Sequence, residues 1–116
     1  MTRLCIAACV LLAACGHAES PPAGGDAKNG RLLLRQFGCG SCHRIPGVPA
    51  AVGVVGPSLE GVGKRVYIAG GVPNSPANMA RFIMKPQQFD PRTVMPDLQV
   101  GEAHARDMVA YLMTAK

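Results

Sequence analysis

The chain has 116 residues, 48% of them hydrophobic, with five cysteines and no tryptophan. Its formal net charge is +5, and its basic residues form no clustered stripe of the kind that binds nucleic acid. We therefore expect one small domain from the length of the chain, and no nucleic-acid partner from the lack of a basic stripe.

The N-terminus has the pattern of an export signal. Arg3 provides a positive charge, and the apolar segment 4–14 is too short to remain as a membrane span. The segment ends in Leu12-Ala13-Ala14-Cys15, which resembles the bacterial lipobox. We therefore expect residues 1–14 to be a lipoprotein signal peptide and Cys15 to carry lipid, on the periplasmic side of a bacterial membrane. The alternative is an ordinary secretory signal cleaved after Ala18, which would leave a soluble periplasmic protein.

Residues 15–25 are rich in Ser, Pro, Gly and Ala, and this composition predicts a flexible tether between the lipid and the domain. The domain itself is expected to cover residues 26–116. Asp26 is a good N-cap for a first helix, and Gly38 is a suitable residue to end it. The apolar side of this helix would carry Leu33, Leu34 and Phe37.

The motif Cys39-Gly40-Ser41-Cys42-His43 follows the first helix directly. It is the attachment signature of one covalently bound haem c, in which each cysteine sulfur adds to a vinyl group and the imidazole of His43 binds the iron. A thioredoxin-like redox pair would lie in a βαβ pattern, and a structural zinc site would need a second Cys/His pair; the sequence has neither. A disulfide between Cys39 and Cys42 would leave His43 unexplained.

The remaining chain alternates loops and helices. Residues 44–72 are rich in Gly, Pro and Val, and we expect an irregular loop that wraps the cofactor rather than a strand at 52–55. Ser75 and the proline after it predict the start of a helix that ends before Pro86. Residues 86–99 are expected to be loop, and a last helix begins near Gly101. This order predicts an all-α domain.

A second iron ligand is expected from a methionine, because a thioether favours Fe(II) and raises the redox potential relative to a second histidine. Met95 precedes Pro96 in an irregular loop where it joins no apolar helix face, so it is the predicted ligand. Met84 is the main rival, and core packing is the alternative role for both. The two remaining histidines, His17 and His104, are expected to be solvated.

Together these residues resemble class I (mitochondrial-type) monohaem cytochromes c over residues 25–114. The resemblance is carried by Gly30, by the motif at 39–43, by Val55-Gly56-Pro57-Ser58-Leu59, by Val94-Met95-Pro96-Asp97-Leu98 and by the helix at 105–112. Residues 56–112 are especially similar to cytochrome c domains associated with bacterial terminal oxidases, through Arg65-Val66-Tyr67-Ile68-Ala69-Gly70 and Pro86-Gln87.

The resemblance implies a small cytochrome c fold, in which the N- and C-terminal helices cross and long loops wrap one haem. Gly30 would let these helices cross closely against Met108 and Tyr111. The carbonyl of Pro57 would accept a hydrogen bond from the His43 ring and so fix the imidazole.

The function expected from this resemblance is one-electron transfer in an extracytoplasmic respiratory or dehydrogenase chain, without enzymatic activity or a small-molecule substrate. Its partners would be redox proteins, a terminal oxidase or a dehydrogenase, with a membrane contact through the lipid. The protein would act as a monomer or as an accessory subunit. A haem enzyme or gas sensor with an open distal site is the alternative.

Four basic residues are expected to border the haem crevice and to steer docking of the redox partner: Lys64, Arg65, Lys85 and Arg92. The resemblance further implies that Arg65 lies near a haem propionate.

Overall fold

The structure is a computed structural model, and it describes residues 24–116. Several predicted features lie outside the described residues. They are the signal peptide, the lipidation of Cys15, the solvated His17, the alternative cleavage site after Ala18 and nearly all of the tether. The described residues form four α-helices, two short strands and two 3₁₀ turns. The helices are α1 (Ala27–Gln36), α2 (Pro76–Met84), α3 (Pro86–Phe89) and α4 (Glu102–Leu112). The strands β1 (Tyr67–Ile68) and β2 (Val72–Pro73) pair antiparallel, and the 3₁₀ turns are Cys39–Ser41 and Val62–Lys64.

The capping residues predicted from the sequence begin the first two long helices. The Asp26 carboxylate accepts hydrogen bonds from the backbone N–H groups of Lys28 at 2.9 Å and Asn29 at 3.1 Å. The Ser75 hydroxyl accepts one from the N–H of Asn78 at 3.1 Å. Each bond satisfies a donor that a helix N-terminus leaves without a partner. At the other end of α1, Gly38 takes a left-handed conformation with φ 72° and turns the chain into the haem-attachment motif.

Two segments expected to be irregular contain regular structure. The segment 44–72 contains the 3₁₀ turn Val62–Lys64 and strand β1, and its last residue begins strand β2. The segment 86–99 contains α3. Each of these elements is only two to four residues long, so no hydrophobic period could reveal it. The other expectation for this region is confirmed, because residues 52–55 form no strand beyond one isolated bridge between Val52 and Arg44.

The first and last helices cross at very short range, as expected for Gly30. A Cβ atom at Gly30 would overlap the carbonyl group of Asp107 and lie 2.9 Å from the backbone nitrogen of Met108. The part expected of Tyr111 in this crossing stays a prediction. The Tyr111 hydroxyl donates to the carbonyl oxygen of Pro46 at 2.6 Å, which fastens the loop after the attachment motif to α4.

The core is formed by the predicted apolar faces of α1, α2 and α4, together with residues from the loops. Within α4 the whole predicted stripe is buried, and in α1 both leucines of the predicted face are buried. The buried core residues are Leu33, Leu34, Ile45, Val48, Ala51, Val62, Met79, Ala80, Val100, Ala105, Met108, Val109 and Leu112. Between residues 24 and 116, no helix has both the length and the apolar character needed to cross a membrane.

Candidate functional site

A cavity of about 390 Å³ lies between the helices and the loops. Its walls are mostly apolar and come from α1, α2, α4 and the segments 55–70 and 90–98. Cys39, Cys42 and His43 all line it. The size and apolar lining are typical of a site that encloses a cofactor or another small molecule. The apolar wall residues include Leu34, Leu59, Met79, Phe82, Met108 and Leu112.

The attachment motif is folded into a compact turn at the end of α1. The 3₁₀ turn Cys39–Ser41 is closed by backbone hydrogen bonds from Cys42 and His43 to the carbonyl oxygen of Cys39, at 3.3 and 3.0 Å. Both cysteines are free thiols of intermediate exposure. Burial raises the pKa of the Cys39 thiol, with a smaller contribution from the neighbouring Cys42. The turn therefore holds two unpaired thiols and one imidazole at the same cavity.

The hydrogen bond predicted for the His43 ring is present. Nδ1 of His43 lies 2.7 Å from the carbonyl oxygen of Pro57. A carbonyl oxygen can only accept, so Nδ1 carries the proton and, in the neutral ring, Nε2 keeps its lone pair. This is the tautomer that a metal ion binds, and the bond also fixes the orientation of the ring.

Gly56 is a site residue whose role the sequence did not reveal. A Cβ atom at Gly56 would lie 2.7 Å from Nδ1 and 3.0 Å from Nε2 of His43, so only glycine leaves room for the ring. The same segment is hydrogen-bonded to the attachment motif, from Gly56 N to the Cys42 carbonyl at 2.8 Å and from Gly53 N to the Gly40 carbonyl at 3.0 Å. The only signal for this role was the position of Gly56 next to Pro57.

The structure brings Met95, and not its rival Met84, to the cavity. Met95 lies in the segment between α3 and α4 and is half-buried at the cavity wall. Met84 packs against the outside of the core cluster and does not line the cavity. Two other methionines, Met79 and Met108, line the cavity from α2 and α4 but are core residues, only 4% and 0% exposed.

His104 is exposed, as expected, and it lies outside the cavity. Its ring packs edge-on against Phe37, with 5.9 Å between the ring centroids. A site with two histidine ligands built from His43 and His104 is therefore incompatible with this fold.

Arg65 lines the cavity at its exposed rim. Its guanidinium donates to the carbonyl oxygen of Ser58 and, at 3.5 Å, to that of Glu60. Asn74 holds the Arg65 backbone by donating to its carbonyl oxygen at 2.8 Å. A guanidinium has five N–H donors, so this fixed side chain retains donors for a carboxylate at the cavity mouth.

One of the four basic residues expected to steer docking is already paired. Nζ of Lys85 lies 2.8 Å from Oδ2 of Asp97, and this contact with its positive charge lowers the pKa of the Asp97 carboxyl. Lys85 therefore belongs to a locally neutral pair, and its expected part in steering docking stays a prediction. Lys64, Arg65 and Arg92 are exposed and form no salt bridge with another described residue.

The donor set at the cavity fits a haem and does not fit a zinc ion. Among residues 24–116, no three His, Cys, Asp or Glu side chains come together to hold a metal ion. A haem needs only two thiols for its vinyl groups, an imidazole with a free Nε2, apolar walls and a cation near its propionates. These are supplied by Cys39, Cys42, His43, the apolar lining and Arg65.

A mostly helical domain that surrounds a cavity with such a donor set is typical of proteins that hold haem covalently. A family model described as Cytochrome c matches residues 27–116, and the chain therefore belongs to the cytochrome c family. Members of this family carry covalently bound c-type haem and transfer electrons through it, and they are generally carriers rather than enzymes. A comparison with curated proteins found no match.

Proposed function

We propose that this protein is a one-electron carrier of the class I type that binds a single haem c, with His43 and Met95 as the two iron ligands. The observation that carries the proposal is the pairing of His43 Nδ1 with the Pro57 carbonyl, which leaves Nε2 available at a cavity that Met95 also lines. When bound, the haem supplies an iron that takes up and releases one electron.

The chain's own side chains would each have a distinct part in this carrier. Cys39 and Cys42 would anchor the group through thioether bonds, so that it stays with the protein through every redox cycle. Met95 would contribute a soft thioether that favours the reduced state. The apolar walls would keep water from the iron, and Arg65 would offset the charge of a propionate.

The carrier is favoured over a haem enzyme or gas sensor with an open distal site. Such proteins need a vacant iron position and polar groups around it. The presence of Met95 at the cavity wall supports an iron whose sixth position is filled, because its thioether is a known haem ligand.

An absorption spectrum of the protein isolated after export, together with a pyridine haemochrome assay, tests this proposal. The expected result is one haem per chain, with neither Cys39 nor Cys42 open to alkylation. The reduced protein should bind carbon monoxide slowly or not at all, whereas a Met95→Ala variant should bind it rapidly. A colourless product with two free thiols would overturn haem attachment, and rapid carbon monoxide binding by the unaltered protein would favour the alternative.

We also propose that the protein works on the periplasmic side of a bacterial membrane, anchored through lipid on Cys15. The lipobox-like sequence supports the anchor, and the similarity of residues 56–112 to oxidase-associated domains supports a terminal oxidase or a dehydrogenase as partner. A lipid anchor would raise the effective concentration of the carrier at such a partner. The protein would act there as a monomer or as an accessory subunit.

Cell fractionation of two cysteine variants tests the anchor. Cys15→Ser should move the protein from the membrane fraction to the soluble fraction, because the lipidated side chain is lost. Cys9→Ser lies inside the predicted signal peptide and should leave the distribution unchanged. Recovery of the unaltered protein in the soluble periplasmic fraction would overturn the anchor and support cleavage after Ala18.

A further inference from the structure

The segment that carries Met95 is held by side chains rather than by regular structure. Residues 90–101 contain no helix or strand. The backbone N–H of Met95 donates to the Thr93 hydroxyl at 3.2 Å, and its carbonyl oxygen accepts from Nε2 of Gln87 at 2.8 Å. These two hydrogen bonds satisfy both backbone polar groups of Met95. The first is local to the segment, so only the second connects this backbone to another element.

Gln87 is attached to a well-fixed part of the fold. It is the second residue of α3, directly after Pro86, whose side chain is among the most deeply buried in the described chain. On the other side of Pro86, Lys85 forms the ion pair with Asp97, two residues after Met95. The segment around Met95 is therefore bonded at two points, to Lys85 and to Gln87, the two residues on either side of buried Pro86.

We propose that Gln87 is a positioning residue that keeps the thioether of Met95 at the cavity, an inference that rests on the proposed role of Met95 as iron ligand. Gln87 is exposed and does not line the cavity, so it acts only through the Met95 backbone. The next residue, Pro96, has no backbone N–H. It therefore cannot donate a hydrogen bond that would hold the segment in place of the Gln87 bond. Without the Gln87 bond, Met95 leaves the iron more often.

Competition by imidazole for the iron of the oxidised holoprotein measures this effect directly. Imidazole binds only when Met95 has left, so its apparent affinity reports how often the ligand is off. Gln87→Ala removes the donor, and Gln87→Glu replaces it with a carboxylate of similar shape that only accepts. Loss of one hydrogen bond should raise the apparent imidazole affinity about two- to tenfold in both variants.

Gln88→Ala is the matched control. Gln88 is the next residue of the same short helix, is also exposed, and its side chain forms no hydrogen bond with any described residue. It should bind imidazole as the unaltered protein does. An unchanged affinity in both Gln87 variants, or an equal change in Gln88→Ala, would overturn the positioning role.

A Met95→Ala background separates this inference from the ligand proposal. There the iron has no methionine to lose, so adding Gln87→Ala should leave imidazole affinity unchanged. An equal rise in both backgrounds would mean that Gln87 acts elsewhere, and would overturn the inference while Met95 remains the ligand. If Met95→Ala alone binds imidazole no more tightly than the unaltered protein, both the ligand proposal and the inference fail.

Discussion

Gly30 lies directly against the backbone of Asp107, where α1 crosses α4. A Cβ atom on Gly30 would overlap the Asp107 carbonyl group, so the distance between the two helices is set by the absence of a side chain. Leu34 in α1 and Met108 and Leu112 in α4 line the cavity, so this crossing also sets the position of two of its walls.

Gly30→Ala should destabilise the protein, because the added methyl group meets rigid backbone instead of a flexible side chain. We expect the free energy of unfolding to fall by about 1–3 kcal/mol, as is typical of overpacking. Denaturant titration of the holoprotein measures it. Gly101→Ala is the control, since nothing lies within 4 Å of its added Cβ, and it should cost clearly less. Equal losses in both variants would contradict this account of the crossing.

The stability of the protein should depend on the ionisation of Asp107. Hydrogen bonds from the Asn29 side chain, at 2.7 Å, and from the backbone N–H of Asp26, at 2.8 Å, lower the pKa of its carboxyl. Because the folded-state pKa lies below that of the unfolded chain, near 3.9, the contribution is fully present above that pH. It is lost as the pH falls through the folded-state pKa.

Denaturant titrations at neutral pH and at about pH 3 check this dependence. Asp107→Asn removes the titrating group, so the variant should lose less stability on acidification than the unaltered protein does. Glu60→Gln is the control, because the Glu60 side chain is exposed and forms no hydrogen bond with a described residue. An equal loss of stability on acidification in the unaltered protein and in Asp107→Asn would show that ionisation of Asp107 does not contribute to stability.

Gly56→Ala should disturb the proposed iron ligand on the histidine side. The new methyl group would overlap Cε1 of the His43 ring, so the ring must tilt and weaken its bond to the Pro57 carbonyl. The expected result is a lower yield of haem-loaded protein and an altered low-spin spectrum. Val54→Ala is a suitable control, because Val54 is 91% exposed, does not line the cavity, and its truncation adds no atom. A normal spectrum for Gly56→Ala would contradict the steric role.

Arg65→Gln should lower the midpoint potential of the holoprotein. A positive charge beside the haem disfavours the ferric state, and its removal relieves that effect by an amount on the order of tens of millivolts. Lys116→Gln removes the same charge from the chain terminus, away from the cavity, and should change the potential much less. Redox titration of both variants gives the comparison, and equal shifts would argue against a propionate contact of Arg65.

The parts of the fold that local chemistry determines could be predicted from the sequence. Asp26 and Ser75 begin their helices as expected because a short side chain with an oxygen satisfies the first N–H groups of any helix. The spacing of apolar residues in α4 identified its buried face for a similarly local reason. The hydrogen bond from His43 to Pro57, by contrast, followed from the family resemblance.

The remaining features depend on contacts between distant segments. The hairpin Tyr67–Ile68 with Val72–Pro73 is too short for its pattern to stand out. Position 56 requires glycine only because the ring of His43 packs against it, and His43 is 13 residues earlier in the sequence. Gln87 reaches Met95 because α3 forms after Pro86, and α3 was not predicted.

The amino-terminal helix of the described chain depends on a partner from its carboxy-terminal end. Asp26 is hydrogen-bonded to Asp107, 81 residues later in the sequence. During synthesis, α1 therefore leaves the ribosome long before α4 exists to pack against it. The contacts between α1 and α4 cannot form before α4 has been made, and native contacts of such long sequence separation tend to slow folding. Slow closure of these contacts would lengthen the time for which Cys39 and Cys42 stay accessible to haem after export.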